Sequence, residues 1–350
     1  MRRWPVMASS YVGAVVGAGF GSGREIAHFF ASYGSAGLLG ALLAGGLFAW
    51  LGATVLHAAV SGGYRSYGAL LRGVCGARLG RVMDAMMTLF LFVTVAAVFA
   101  GAGAMAAQWG WPRWTGVLGL AAMLFVSGCS GQRVYLTINL VLVPILALLT
   151  MLAVYRTCIL RSPQDVFHIQ ASAVHPGMGW GLAAILYVAY NLLLGLAGLC
   201  TSIRPGDVAR DAIWGGLVGG AALGVLAVAL CLVLLALGET TASAELPLQL
   251  AFPATGLGAS LFPLCLSAAL WTTGSAAVSA LSLRFLPTPA VVTGAVVLIL
   301  ALPIGMAGLV WIVAVLYASM GYVGIPLLSS LGAANARLIC RYVGGRRGRI

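Results

Sequence analysis

Apolar residues in this chain follow neither the three-to-four spacing of an amphipathic helix nor the alternation of a strand; they come in blocks of about 20 residues divided by short polar breaks. A helix needs roughly 20 residues to cross a hydrocarbon layer of about 30 Å. Ten such blocks fit the chain: 8–30, 36–59, 82–108, 114–130, 134–155, 179–202, 211–237, 258–283, 289–304 and 306–329. The pattern predicts an all-α integral membrane protein of about ten transmembrane helices, one membrane domain over 1–350. The first block resembles a secretory signal at its basic start, but where a signal would be cleaved after small residues it runs straight into Arg24 and Glu25 and on through Phe29 and Phe30, so it reads as a retained helix.

Ten spans divide into five and five. Because five is odd, the second half enters the membrane in the opposite sense, which is an inverted repeat. The expected units are a first repeat over 8–155, an external linker over 156–178, a second repeat over 179–329 and a basic cytoplasmic tail over 330–350. Two long connections, 60–81 and 238–257, occupy matching places in the halves; the first reads as an amphipathic surface helix.

Composition agrees: 61% of residues are hydrophobic and 7% charged, and the mean hydropathy is +1.05. The net charge of +12 comes from nineteen basic residues, all arginine. With the N-terminus inside, fifteen arginines fall on inner segments, Arg113, Arg156 and Arg161 fall outside, and Arg24 lies within a span. The positive-inside rule therefore predicts a multi-pass cell-membrane protein with both termini cytoplasmic. The arginine-rich tail suits anionic lipid headgroups, and no nucleic-acid partner is expected. Seven cysteines occur singly, mostly within apolar runs, and read as structural thiols.

Chemistry concentrates in "VVGAGFGSGREIAHFF", residues 15 to 30. Glycine at 17, 19, 21 and 23 disfavours a helix by about 1 kcal/mol per position relative to alanine. Unwound backbone within a bilayer is tolerated only where it lines a cavity or is buried in protein. A break there would set carbonyls of one half-helix opposite amides of the next, a pair suited to a small zwitterion. Close packing of small residues explains the same glycines equally well. Neither glycine register completes GxGxxG, and without lysine there is no Walker motif. The positional mate in the second half, "GWGLAAILYVAYNLLLGLAGL", holds Tyr190, Asn191 and Gly195 at corresponding depth, which predicts a second break in helix six. A lone asparagine also simply bonds a neighbouring helix.

These segments resemble the YkvI-like bacterial membrane proteins of the amino acid–polyamine–organocation superfamily. The resemblance is carried by "VVGAGFGSGREIAHFF", "SYGALLRGVCGARLGRVMD", "YVAYNLLLG", "GETTASAELPLQLAF" and "LSAALWTTGSAAVSAL". It implies a LeuT-like 5+5 inverted repeat with discontinuous helices one and six, and substrate contacts from Gly17, Ala18, Gly19, Phe20, Gly21, Ser22, Gly23, Tyr190, Asn191 and Gly195. A cation site between helices one and eight would match Ala14, Gly17, Thr272, Thr273 and Ser275; the alternative is hydroxyls bonding their own helix. Arg24 and Glu25 are expected to form a gate or a proton relay, whereas Asp84 reads as a helix-start charge beside Arg78 and Arg81.

The leading expectation is a secondary active transporter of a small amino acid or related amine, cation-coupled with Na⁺ favoured over H⁺. The alternative is a membrane ligand sensor of the same fold without net transport. No HExxH, GxSxG or paired-carboxylate motif points to an enzyme, and no cofactor or resident metal apart from Na⁺ is expected.

Overall fold

The computed structural model describes residues 2–64, 66–130, 133–160, 178–238, 240–252, 257–285 and 287–347, with the side chains of residues 18, 128–130, 133–141, 143, 158–160, 197, 198, 201, 242, 257–259 and 334–347 left aside. Most of the expected linker over 156–178 lies outside these residues. Each of the ten apolar blocks is helical.

The first block is three helices, α1 (Trp4–Val15), α2 (Ala18–Ser22) and α3 (Arg24–Phe29). Then follow α4 (Ser35–Ser61), the short surface helix α5 (Tyr67–Cys75), α6 (Ala77–Gln108), α7 (Arg113–Ser130) and α8 (Arg133–Leu160). The second half holds α9 (Trp180–Ser202), α10 (Ala209–Leu237), α11 (Thr240–Ser243), α12 (Leu257–Arg284) and α13 (Ala290–Gly305). The last block comprises α14 (Leu309–Trp311), a π-helical turn over Ile312–Tyr317 and α15 (Ala318–Arg347). The final helix thus continues through most of the stretch expected as a tail.

Lipid is as apolar as leucine, so spanning helices associate mainly by close packing. The tightest pair is α4 with α10. There Gly45 meets Gly224 backbone to backbone, Gly216 lies on the backbone of Ala53, and Gly220 on that of Ala49. Helix α1 leans on α10 and α9, and α9 packs on α4 and α15. Helices α6, α7, α12 and α13 form a second group, and α8 touches both α10 and α12.

Polar ties join elements near the α1 N-terminus. Arg3 bonds Asp207 at 2.6 Å and the Ser202 carbonyl at 3.0 Å, while its amide donates to Asp211 at 2.7 Å. Asp84 is more than a helix-start charge: it accepts from Arg284 of α12 at 2.9 Å, and Arg284 also donates to the Tyr67 hydroxyl at 3.2 Å. Helix α5 starts at Ser66, whose hydroxyl accepts from the Ala69 amide at 3.3 Å and satisfies a first-turn donor.

One expectation is corrected. Helix one is interrupted, but helix six is not: α9 runs unbroken through Tyr190, Asn191 and Gly195. Its glycines are sparse among alanine and leucine, strong helix formers. The Asn191 side chain supports the turn below it by donating to the Tyr187 carbonyl at 3.0 Å.

Candidate functional site

The glycine cluster yields two separate irregularities. At the first, α1 ends in Val16 with φ −74° and ψ 83°, and Gly17 is extended. The Gly17 amide turns back to the Val15 carbonyl at 2.8 Å, and the new helix begins with the Gly21 amide donating to the Gly17 carbonyl. At the second, Gly23 adopts φ +78°, a left-handed conformation that favours glycine, and redirects the chain into α3. The Ser22 hydroxyl bonds the Gly19 carbonyl and receives the Arg24 amide, holding this corner.

The two turns bring Glu25 back beside the first break. Its carboxyl lies so close to Gly19 that a Cβ at that position would collide with Oε1. Tyr190 of α9 donates its hydroxyl to Glu25 Oε2 at 2.5 Å, and Asn191 is a second polar neighbour. Glu25, His28, Tyr190 and Asn191 are all buried.

Arg24 points the other way. Its guanidinium donates to the Ala244 carbonyl at 3.0 Å and reaches that of Thr241 at 3.5 Å. It thereby ties α3 to the connection between α10 and α12, whose Leu248 covers Gly23. The same connection is fixed from its other side: Glu245 pairs with Arg113 and accepts from the Leu309 amide at 3.2 Å.

Below Glu25 lies a cavity of about 630 Å³, lined by α1, α6, α8, α9, α10, α12 and the π-helical turn. Its exposed lining residues are Pro5 and Ser9 near the α1 N-terminus, Pro144 of α8, Val218 of α10 and Ala276 of α12. Beyond Glu25 the chain is closed by buried Phe20, Arg24, Leu248 and Phe252.

The cavity gathers part of the expected residues. Gly17, Gly19, Tyr190 and Asn191 of the substrate set line it, as do Ala14, Gly17, Thr272 and Thr273 of the cation set, and Glu25. A methyl on Gly17 would stand 3.3 Å from Thr273 Oγ1, so the first break faces helix α12 directly. Thr272 bonds the Ala269 carbonyl of its own helix at 3.2 Å. Phe20, Gly21, Ser22, Gly23, Gly195, Ser275 and Arg24 are not among the lining residues. Gly21 faces Leu146 and Leu266, and Gly195 packs on Val15 and Ala14. The Ala18 side chain lies outside the described residues.

The sequence reading missed Tyr317. This residue ends the π-helical turn, lines the cavity and packs on Tyr190 with ring centroids 5.1 Å apart. π-Turns often mark functional sites, yet nothing in the run "WIVAVLYASM" separates one from ordinary helix; a hydroxyl-bearing ring in an apolar block was the available signal.

Comparison with known proteins agrees with this architecture. The chain is 32% identical over 225 residues to the uncharacterized membrane protein YkvI of Bacillus subtilis (strain 168), a match covering 63% of each protein. It therefore spans just under two thirds of that curated relative's length. The inward-facing conformation of Mhp1 superposes with a TM-score of 0.63 at 15% identity, covering 94% of this chain and 75% of that one. The chain is similar in sequence to YkvI and has the LeuT fold that Mhp1 shares. Mhp1, a nucleobase-cation-symport-1 family transporter, closed with bromovinylhydantoin bound, matches this chain with a TM-score of 0.55 at 15% identity, over 99% of this chain and 79% of that one. A variant of the Eremococcus coleocola manganese transporter gives 0.53 at 16% identity, over 97% and 88% of the two chains. No protein-family model matches the sequence.

Proposed function

We propose that the protein is a secondary active transporter of a small amino acid or related amine, coupled to a cation and working by alternating access around the break in helix one. The observation that carries the reading is the arrangement at Glu25. A buried carboxyl, a helix break and the hydroxyls of Tyr190 and Thr273 surround one cavity that is open to the surface. Ionisable groups at membrane depth are costly and are kept where they serve transport or relay. The solved structures of similar fold are titled as transporters, which supports the same reading.

With both termini in the cytoplasm, as the arginine distribution predicts, the opening at Pro5 and Ser9 is the inward one, and the Arg24–Glu245–Arg113 region is the closed outer gate. Of the two coupling ions, the position of Glu25 inside the cavity supports H⁺. The approach of Thr273 to Gly17 supports a second reading, Na⁺ bound between α1 and α12. Uptake of pooled labelled amino acids and amines into proteoliposomes tests both, with a pH gradient compared against a Na⁺ gradient. Accumulation driven by either gradient supports transport. Ligand binding without accumulation under either gradient sinks it in favour of a sensor.

A further inference from the structure

Glu25 is the only Asp, Glu, Arg, Lys or His among the described residues that line the cavity. The titratable groups that face it are Tyr187 and Tyr190 of α9 and Tyr317 of the last span. The cations nearest in sequence, Arg24 and His28, share α3 with it, and the Arg24 guanidinium is turned to the carbonyls of Thr241 and Ala244. An ionised carboxylate in such surroundings needs a partner of opposite charge. The cavity wall supplies none, so within the cavity neutrality comes from a proton on the carboxyl or from a bound cation.

The remaining surface suits the second. Tyr190 and Tyr317 line the cavity beside the carboxyl with their rings tilted at 45° to one another, and Phe29 packs behind Tyr190 with centroids 5.6 Å apart. Aromatic faces attract ammonium and guanidinium groups. A ligand bearing its own carboxylate would add a second negative group where no basic side chain lines the wall.

We infer that a proton and a small organic cation without a carboxylate displace one another at Glu25, so that the protein exchanges the two across the membrane. The inference rests on the transporter reading and narrows its substrate to the amine side of that class. The step is balanced: the cation enters, the O–H bond of the Glu25 carboxylic acid breaks, the proton leaves to water, and the carboxylate pairs with the cation. On release of the cation the carboxylate takes a proton back from the side to which the cavity is open. Neither form leaves an unpaired charge buried, so crossing takes place with one cargo or the other.

The test uses the full chain in detergent, lightly buffered near neutral pH with a pH-sensitive dye. Choline, tetramethylammonium and guanidinium chlorides are the probes, and glycine betaine, acetate and NaCl the comparators. Choline and tetramethylammonium carry no N–H, so any proton released on binding comes from the protein. The expected result is saturable release of one proton per bound cation with at least one probe, none with the comparators, and none in Glu25→Gln. Glu25→Asp keeps the carboxyl on a shorter arm and is expected to weaken binding about tenfold while keeping the release. That variant and the wild-type stoichiometry decide the matter if Glu25→Gln does not fold. Absence of proton release with every probe, or equal release from Glu25→Gln, overturns the inference. Amino-acid accumulation in proteoliposomes with no cation-induced release would remove the exchange site and leave the transporter. Proton release in detergent without exchange across liposomes would keep the shared site and remove transport.

Discussion

Tyr190 and Glu25, 165 residues apart in the chain, meet through a hydrogen bond of 2.5 Å from the phenol to Oε2. That contact joins the interrupted helix of the first half to the continuous helix of the second, so the position of the carboxyl depends on both. Hydrogen bonds to charged groups contribute about 1.5–3 kcal/mol, more than neutral ones.

Removing only the hydroxyl is the cleanest probe of this link. Tyr190→Phe keeps the ring contacts with Phe29, Tyr187 and Tyr317. It is expected to lower stability in detergent by about 1–3 kcal/mol, because a buried acceptor loses its donor. It is also expected to slow uptake about fivefold or more, since about 1 kcal/mol or more is then missing from the geometry of Glu25. Thermal unfolding beside initial uptake rates measures both; unchanged values for both would mean that the hydrogen bond is incidental.

Two alanine substitutions separate the functional glycine from the packing one. The Glu25 carboxyl occupies the space that a methyl on Gly19 would need, whereas a methyl on Gly21 would meet Leu146 and Leu266 at an ordinary 3.7 Å. Gly19→Ala is expected to fold and to abolish uptake by pushing the carboxyl off Tyr190. Gly21→Ala is expected to transport as well as the wild type, with a small gain in helix stability. Equal activity in the two variants would show that the glycines serve packing alone.

Much of the fold was legible because membrane spans are written in block hydrophobicity: the blocks at 36–59, 82–108 and 211–237 fall within a few residues of α4, α6 and α10. The break in helix one was legible in part: four alternate glycines make a helix costly there, although close packing would have explained them equally well. The continuity of α9 was not. Its prediction rested on symmetry with the first half, and symmetry at the level of topology does not carry the local cost of unwinding a leucine-rich turn. The site was half legible. Glu25 was singled out as an ionisable residue in a span, but its direction depends on the left-handed turn at Gly23, and φ angles are not visible in composition. Residues such as Phe20, Ser22 and Ser275 shared the right segments yet face other neighbours, because within one helical turn only one side meets the cavity.

Arg24 should control access from the end opposite the cavity mouth. Its bonds to the Ala244 and Thr241 carbonyls hold the connection that places Leu248 over Gly23. Leu248→Cys is buried when this contact is intact, so a membrane-impermeant thiol reagent added outside should label it slowly. Adding Arg24→Gln, which keeps a donor but loses the charge and the fork, is expected to raise the labelling rate by about tenfold or more, the equivalent of 1.4 kcal/mol. A rate that stays the same in the double variant would remove Arg24 from the gate.

The α4–α10 interface should tolerate no added volume. Gly220 lies on the backbone of Ala49 and Gly216 on that of Ala53, so a new side chain meets main chain, which cannot swing aside as a rotamer would. Overpacking of a well-packed core costs about 1–3 kcal/mol even where side chains can adjust. Gly220→Val is therefore expected to destabilise by about 3 kcal/mol or more, and Gly216→Val similarly. Gly46 provides the contrast on α4 itself: a side chain there meets nothing within 4 Å, and Gly46→Val should fold with nearly wild-type stability. Monodispersity and thermal unfolding in detergent distinguish the three. A stable, monodisperse Gly220→Val protein would mean that α4 and α10 do not pack backbone to backbone, and the support that α10 gives to α1 beneath the cavity would need another source.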